Sequence, residues 1–150
     1  MSKKAINQLR TMQLPYKFGS TNPPSGARRS TITVDSRTHV LTAADSSATV
    51  FFGGSGIGIA NLPPVAGSAG VWFEFMVTSV HRHIIQDTEG SKINGCIHHN
   101  TNGSTVARVN FSNASRVRLH TSNAAIGDKI RVWSDGTLWY VDGLVNDAVD

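Results

Sequence analysis

"GVWFEFMVTS", residues 70–79, decides the fold. Its apolar residues alternate. In an extended strand Val71, Phe73, Phe75 and Val77 fall on one face, and Trp72, Glu74, Met76 and Thr78 on the other. The all-apolar face has to be buried. The mixed face is either half covered or an interface. Glu74 is the one acid placed well inside a strand rather than near a turn or chain end, which fits a rim or interface charge or an acid in a cleft.

Extended segments of the same kind lie on both sides. Upstream are "STITV" (30–34), "THVL" (38–41), "ATVFFG" (48–53) and "GIGIANL" (56–62). Downstream are "HIIQD" (83–87), "KINGCI" (92–97), "TVARVNF" (105–111), "RVRLHT" (116–121), "KIRVWS" (129–134) and "LWYVDG" (138–143). Glu89-Gly90, Asn94-Gly95, Asn102-Gly103, Ser112-Asn113, Gly127-Asp128 and Asp135-Gly136 supply turn signals among them. About ten short strands at near-regular spacing make an all-β body, a jelly roll, sandwich or barrel. The last hairpin is the sharpest local expectation, with Asp135-Gly136 as a tight turn. Ile130, Val132, Trp139 and Val141 should point inward, and Arg131, Trp133 and Tyr140 outward. An outward Trp133 is a candidate subunit contact, and Trp72 and Tyr140 join it.

The composition agrees. Only 16% of the 150 residues are charged, 39% are apolar, and Gly is abundant. The single Cys96 excludes an intrachain disulfide. No run approaches a membrane span, and the N-terminus lacks the apolar core of a secretory signal. Synthesis and folding in a cytosol follow as the expectation.

The net charge of +4 is unevenly spread. Residues 1–37 hold seven basic residues against one acid, Asp35, whereas residues 38–150 hold seven against nine acids. Within the first segment "KFGSTNPPSGARRST" (17–31) is rich in Pro and Gly and has no acid. Residues 1–37 therefore read as an extended basic arm and 38–150 as the body. Ala5, Leu9 and Met12 share the face of a short helix over 5–14, although a disordered tail is equally compatible. Tyr16 and Phe18 around Lys17, with Arg28-Arg29, could bind a nucleic-acid strand. Seven cations over 37 residues are thin for packing a genome, which weighs against that partner.

No catalytic constellation emerges. His81 and His83 could share a strand face, while His98 and His99 would face opposite ways. A zinc site needs three or four convergent ligands, and neither H-E-x-x-H nor C-x-x-C occurs. G-x-S-x-G is also missing. "GGSGIG" (53–58) lacks the helix and Lys-Ser/Thr of a phosphate loop, so a flexible loop is expected. Neither a metal nor another cofactor is called for.

Three stretches occur in a telling order: "VLTAADSSATVFF" (40–52), "NLPPVAGSAGVWFEFMV" (61–77) and "GDKIRVWSDGTLWYVDG" (127–143). They resemble a family of small β-rich proteins of tailed bacteriophages that includes capsid decoration, or head-stabilising, proteins. The resemblance spans residues 38–143, and its closing motif is the most specific part. Here Ser46-Ser47 replaces the usual Ser-Gly, and the middle, 78–112, departs from the pattern.

The resemblance implies a structural virion protein on the capsid exterior and not an enzyme, with the major capsid protein as partner and a homo-oligomer, a trimer first, as its form. In that setting the arm would lie across capsid subunits. Leu14, Tyr16 and Phe18 would be its apolar anchors, and Arg10, Lys17, Arg28 and Arg29 its charge contacts. The rival is a tail- or head-fibre domain whose Trp72, Trp133 and Tyr140 stack on a host polysaccharide. A coat protein touching the genome and a histidine-metal enzyme are further alternatives.

Overall fold

A computed structural model describes residues 29–101, 105–119 and 125–146. Eleven strands run in chain order: β1 Thr31–Asp35, β2 Thr38–Val40, β3 Thr49–Gly53, β4 Ile59–Leu62, β5 Trp72–Val77, β6 His83–Asp87, β7 Ile93–Thr101, β8 Thr105–Ala114, β9 Arg116–Leu119, β10 Lys129–Ser134 and β11 Trp139–Val145. They form a seven-stranded sheet, ordered β1-β3-β5-β10-β11-β7-β8, and a four-stranded sheet, β2-β4-β6-β9. The all-β body read from the sequence is present, as a two-sheet sandwich. Among the described residues no helix is long and apolar enough to cross a membrane.

The first six strands alternate between the two sheets. β1, β3 and β5 pair in parallel in one, and β2, β4 and β6 pair in parallel in the other. Parallel neighbours need a crossover connection, usually a helix. Here the crossover is itself a strand of the facing sheet, so the chain winds as a two-walled coil. The second half is mainly antiparallel. β7 and β8 form a hairpin, β9 runs antiparallel to β6, and the β10–β11 hairpin inserts between β5 and β7. That late hairpin joins β1-β3-β5 to β7-β8.

Alternation sets the core. Phe73, Phe75 and Val77 of β5, Val50 and Phe52 of β3, Ile130 and Val132 of β10, and Trp139 and Val141 of β11 are all buried between the sheets. Ala60, Leu62, Ile85, Val117 and Leu119 come from the four-stranded side. Burying one such large side chain stabilises by about 1.5–3 kcal/mol. The Trp139 indole N–H donates to the Pro63 carbonyl at 3.2 Å, satisfying its one polar atom.

Two short stretches, 41–45 and 127–128, act as closures. In "LTAAD" Leu41 is buried, and Asp45 Oδ2 accepts from the Thr42 N–H and hydroxyl at 2.8 Å each, fixing a 3-10 turn over Ala43–Asp45. In "GD" the Asp128 carboxylate accepts from the N–H groups of Ala125 and Asn146 at 2.9 Å each, tying the start of β10 to the end of β11.

Three expectations need correction. The boundary at residue 37 falls too late, because β1 is a full strand of the seven-stranded sheet and its Val34 is buried. The last hairpin turns at Asp135-Gly136 but less tightly than expected, with a single backbone bond, Asp135 N–H to the Leu138 carbonyl at 3.3 Å, across the loop. Its ladder closes at Ser134 opposite Trp139, leaving a four-residue loop in which Gly136 takes the positive φ, +92°. Asp135 instead holds the loop by accepting from the N–H groups of Thr137 and Leu138. The "GGSGIG" loop is tied at its far end, where the Gly58 N–H donates to His83 Nδ1 at 3.2 Å.

Candidate functional site

The outward face of the seven-stranded sheet carries the mixed residues of the same strands. Strand register sets them in rows. One row runs Phe51, Met76, Lys129, Leu144, His98, Arg108. The next runs Thr49, Glu74, Arg131, Asp142, Cys96, Asn110. A third sets Trp72 beside Trp133 and Trp133 beside Tyr140.

Glu74 is the electrostatic centre. Its side chain is only 9% exposed, and three cations surround it: Arg29 at 3.1 Å, Lys129 at 3.6 Å and Arg131 at 3.7 Å. A lone buried carboxylate would be costly, and three half-exposed cations more than neutralise it. The cluster therefore retains positive charge at the surface.

The aromatic row adjoins it. Arg29 places its guanidinium over the Trp72 ring, 5.1 Å from the centroid. Trp133 is 39% exposed and stacks beside Tyr140, with centroids 6.1 Å apart and planes 24° apart. The Tyr140 hydroxyl donates to Asp135 Oδ2 at 2.9 Å, which orients the ring. Three hydrogen bonds, from the N–H groups of Leu138 and Thr137 and from that hydroxyl, hold the Asp135 carboxyl below the usual carboxylate range. The same bond raises the Tyr140 phenol above its usual value. Arg29, Gly70, Trp72, Arg131, Trp133 and Ser134 line an open hollow of about 460 Å³.

The three aromatics expected to face outward therefore do so, in one row of strand register, with the Trp133 and Tyr140 rings stacked. Of the arm residues, Arg29 packs on the body's own Glu74 and Trp72. Arg10, Leu14, Tyr16, Lys17, Phe18 and Arg28 lie outside the described residues, as do the 5–14 segment and the rest of residues 1–28.

The histidines are dispersed. His83 lies in the core, stacked on Phe52 at 4.8 Å, with Nε2 3.1 Å from the Ser79 carbonyl. Since Nδ1 accepts from Gly58, Nε2 carries the proton and donates. Burial pushes this imidazole below its ordinary value, and His81 nearby lowers it further. His98 and His99 are neighbours on β7 and so face opposite ways. Among the described residues no three His, Cys, Asp or Glu side chains gather as a metal site.

Sequence reasoning missed the cation cluster. Lys129 and Arg131 at i, i+2 share a strand face, which is a legible signal. That this face meets Glu74 depends on the pairing of β5 with β10, which are distant in sequence. No family model, curated protein or solved structure matches this chain.

Proposed function

We propose that this chain is a structural virion protein, a decoration protein that binds the outside of a tailed-phage head and stabilises the major capsid lattice. One observation carries the reading: the basic N-terminal segment feeds into the sandwich at a mechanically sound point. Arg29 is clamped by Glu74 and Trp72, and β1 then pairs in parallel register with β3 over five residues, Thr31 through Asp35. A pull directed along β1 would shear all of its hydrogen bonds to β3 together rather than peel them singly. The resemblance read in the stretches 40–52, 61–77 and 127–143 points the same way, as does the basic charge of residues 1–37. Residues 1–28 would lie across neighbouring capsid subunits, and many copies would combine modest interfaces by multivalency.

The test is binding to empty, expanded heads that lack the protein. The shortened form should begin at Arg29, because a start at Thr38 would remove β1. Saturable binding at many copies per head that requires residues 1–28 is the expected result. Full occupancy by the shortened form would overturn the role of the segment. Binding by neither form would overturn the decoration reading. Within the segment, Tyr16→Ala or Phe18→Ala should weaken attachment more than Lys3→Ala, since buried aromatic anchors are worth ~2 kcal/mol and exposed charges under ~1 kcal/mol.

A further inference from the structure

We infer that the aromatic row and the cation cluster together form a binding site for an acidic glycan, a chain of pyranose rings bearing carboxylate or sulfate groups. The inference does not depend on what the N-terminal segment binds. It rests on a hollow of about 460 Å³ lined by Trp72, Trp133, Arg29 and Arg131, with Tyr140 stacked on Trp133 and Lys129 joined to the same Glu74 beside it. That volume falls within the ~300–1,000 Å³ of ordinary ligand sites.

Each part answers one part of such a ligand. The C–H bonds on one face of a pyranose ring carry slight positive charge and favour the negative face of an indole or phenol. Trp133 and Tyr140 offer two such surfaces side by side, 6.1 Å apart between centroids. The Asp135 bond to the Tyr140 hydroxyl keeps that surface in place before the ligand arrives. Arg131 lies beside Trp133 on the same strand face and lines the same hollow. It shares Glu74 with two other cations, and its side chain is 57% exposed, so its guanidinium can take a second anion. Planar bidentate contact with a carboxylate or sulfate suits that group.

A nucleic-acid strand fits less well. It needs cations tracking successive phosphates along the line of stacked bases. On this face the cations gather at one carboxylate, and only Arg29 also lies over an aromatic ring, so they do not track along the row. A second copy of this chain docking across a two-fold axis would set the net positive cluster against an identical one, and a heterologous contact would show as self-association in the test below.

The test uses the full chain and tryptophan fluorescence. Trp139 is fully buried and serves as an internal reference for Trp72 and Trp133. Alginate octasaccharide (carboxylated) and a heparin octasaccharide (sulfated) are the acidic probes, and maltooctaose is the neutral one. At least one acidic probe should bind and change the fluorescence, and binding should weaken as NaCl screens the charges. Trp133→Ala should lower affinity at least about tenfold, with an unchanged circular dichroism spectrum. Arg131→Gln should remove the preference for the acidic over the neutral chain. Arg116→Gln, on the outward face of the four-stranded sheet, should bind like the parent. Absence of binding by all three probes would overturn the inference, as would equal binding of maltooctaose. Tighter binding of a single-stranded oligonucleotide, or self-association that Trp133→Ala abolishes, would also overturn it.

Discussion

Trp133 and Trp139 belong to the same hairpin, yet they lie on opposite faces of the seven-stranded sheet. Trp139 is fully buried against Phe73, with its N–H bonded to Pro63. Trp133 is 39% exposed and lies among cations and Tyr140. The inner face obeys one requirement, to be apolar and fill space. The outer face breaks that rule with Glu74, Arg131, Lys129 and two indoles, at positions where the fold asks only for compatibility with a strand. Residues that the fold does not require are where a binding function is to be sought.

The comparison can be broken most directly with the two tryptophans. Trp139→Ala should cost about 3–5 kcal/mol, because it leaves a cavity and an unpaired Pro63 carbonyl. Trp133→Ala should change stability by under ~1 kcal/mol. Urea unfolding of both variants decides it, and equal losses would erase the distinction between the faces.

Gly95→Ala tests the seam between β7 and β11. Gly95 has φ +127° at a register shift in the β7–β8 ladder, and an added Cβ would collide with the Val141 backbone. A loss of at least ~3 kcal/mol is expected, or failure to fold. A parent-like thermal midpoint would show that the inserted hairpin is held less closely than its register implies.

Glu74→Gln sharpens the outer face. Removing the carboxylate leaves three cations without their shared partner, but each is about half exposed, so the cost should be ~1–2 kcal/mol. Added NaCl should recover much of it by screening the repulsion. A loss that persists at high salt would mean that Glu74 acts by packing.

His83 gives the inner face a pH dependence. Its folded value is depressed, so on acidification the unfolded chain takes up a proton before the folded one does. Stability is complete above about pH 6.5, the ordinary imidazole value, and falls as the pH drops below it. The urea midpoint should show this slope in the parent, and His83→Leu should lack it whatever its absolute stability. The smallest effect is local. In Asp135→Ala the Tyr140 phenol should lose the bond that raises it and titrate nearer its ordinary value, as read by ultraviolet absorbance in a Tyr16→Phe background.

Much of the fold was legible. All eleven extended segments read from the sequence coincide with strands, and Ile130, Val132, Trp139 and Val141 point inward as alternation requires. The outward trio Trp72, Trp133 and Tyr140 was legible for the same reason. Three features were not: the assignment of β1 to the body, the four-residue loop at Asp135, and the Arg29–Glu74–Lys129–Arg131 cluster. The first two turn on a ladder that local composition does not reveal. "STITV" has an arm's polarity at its start and a strand's alternation at its end.

Period-two alternation is a local property, carried by each strand's own side chains, and it marked this chain as all-β before any pairing was known, leaving sandwich, jelly roll and barrel open. Which strands became neighbours is a long-range property. The parallel coil of β1 to β6 and the insertion of β10–β11 between β5 and β7 depend on the two apolar faces closing together over one core. That closure brings Arg29, Glu74, Trp72, Arg131 and Trp133 from three separate segments onto one surface.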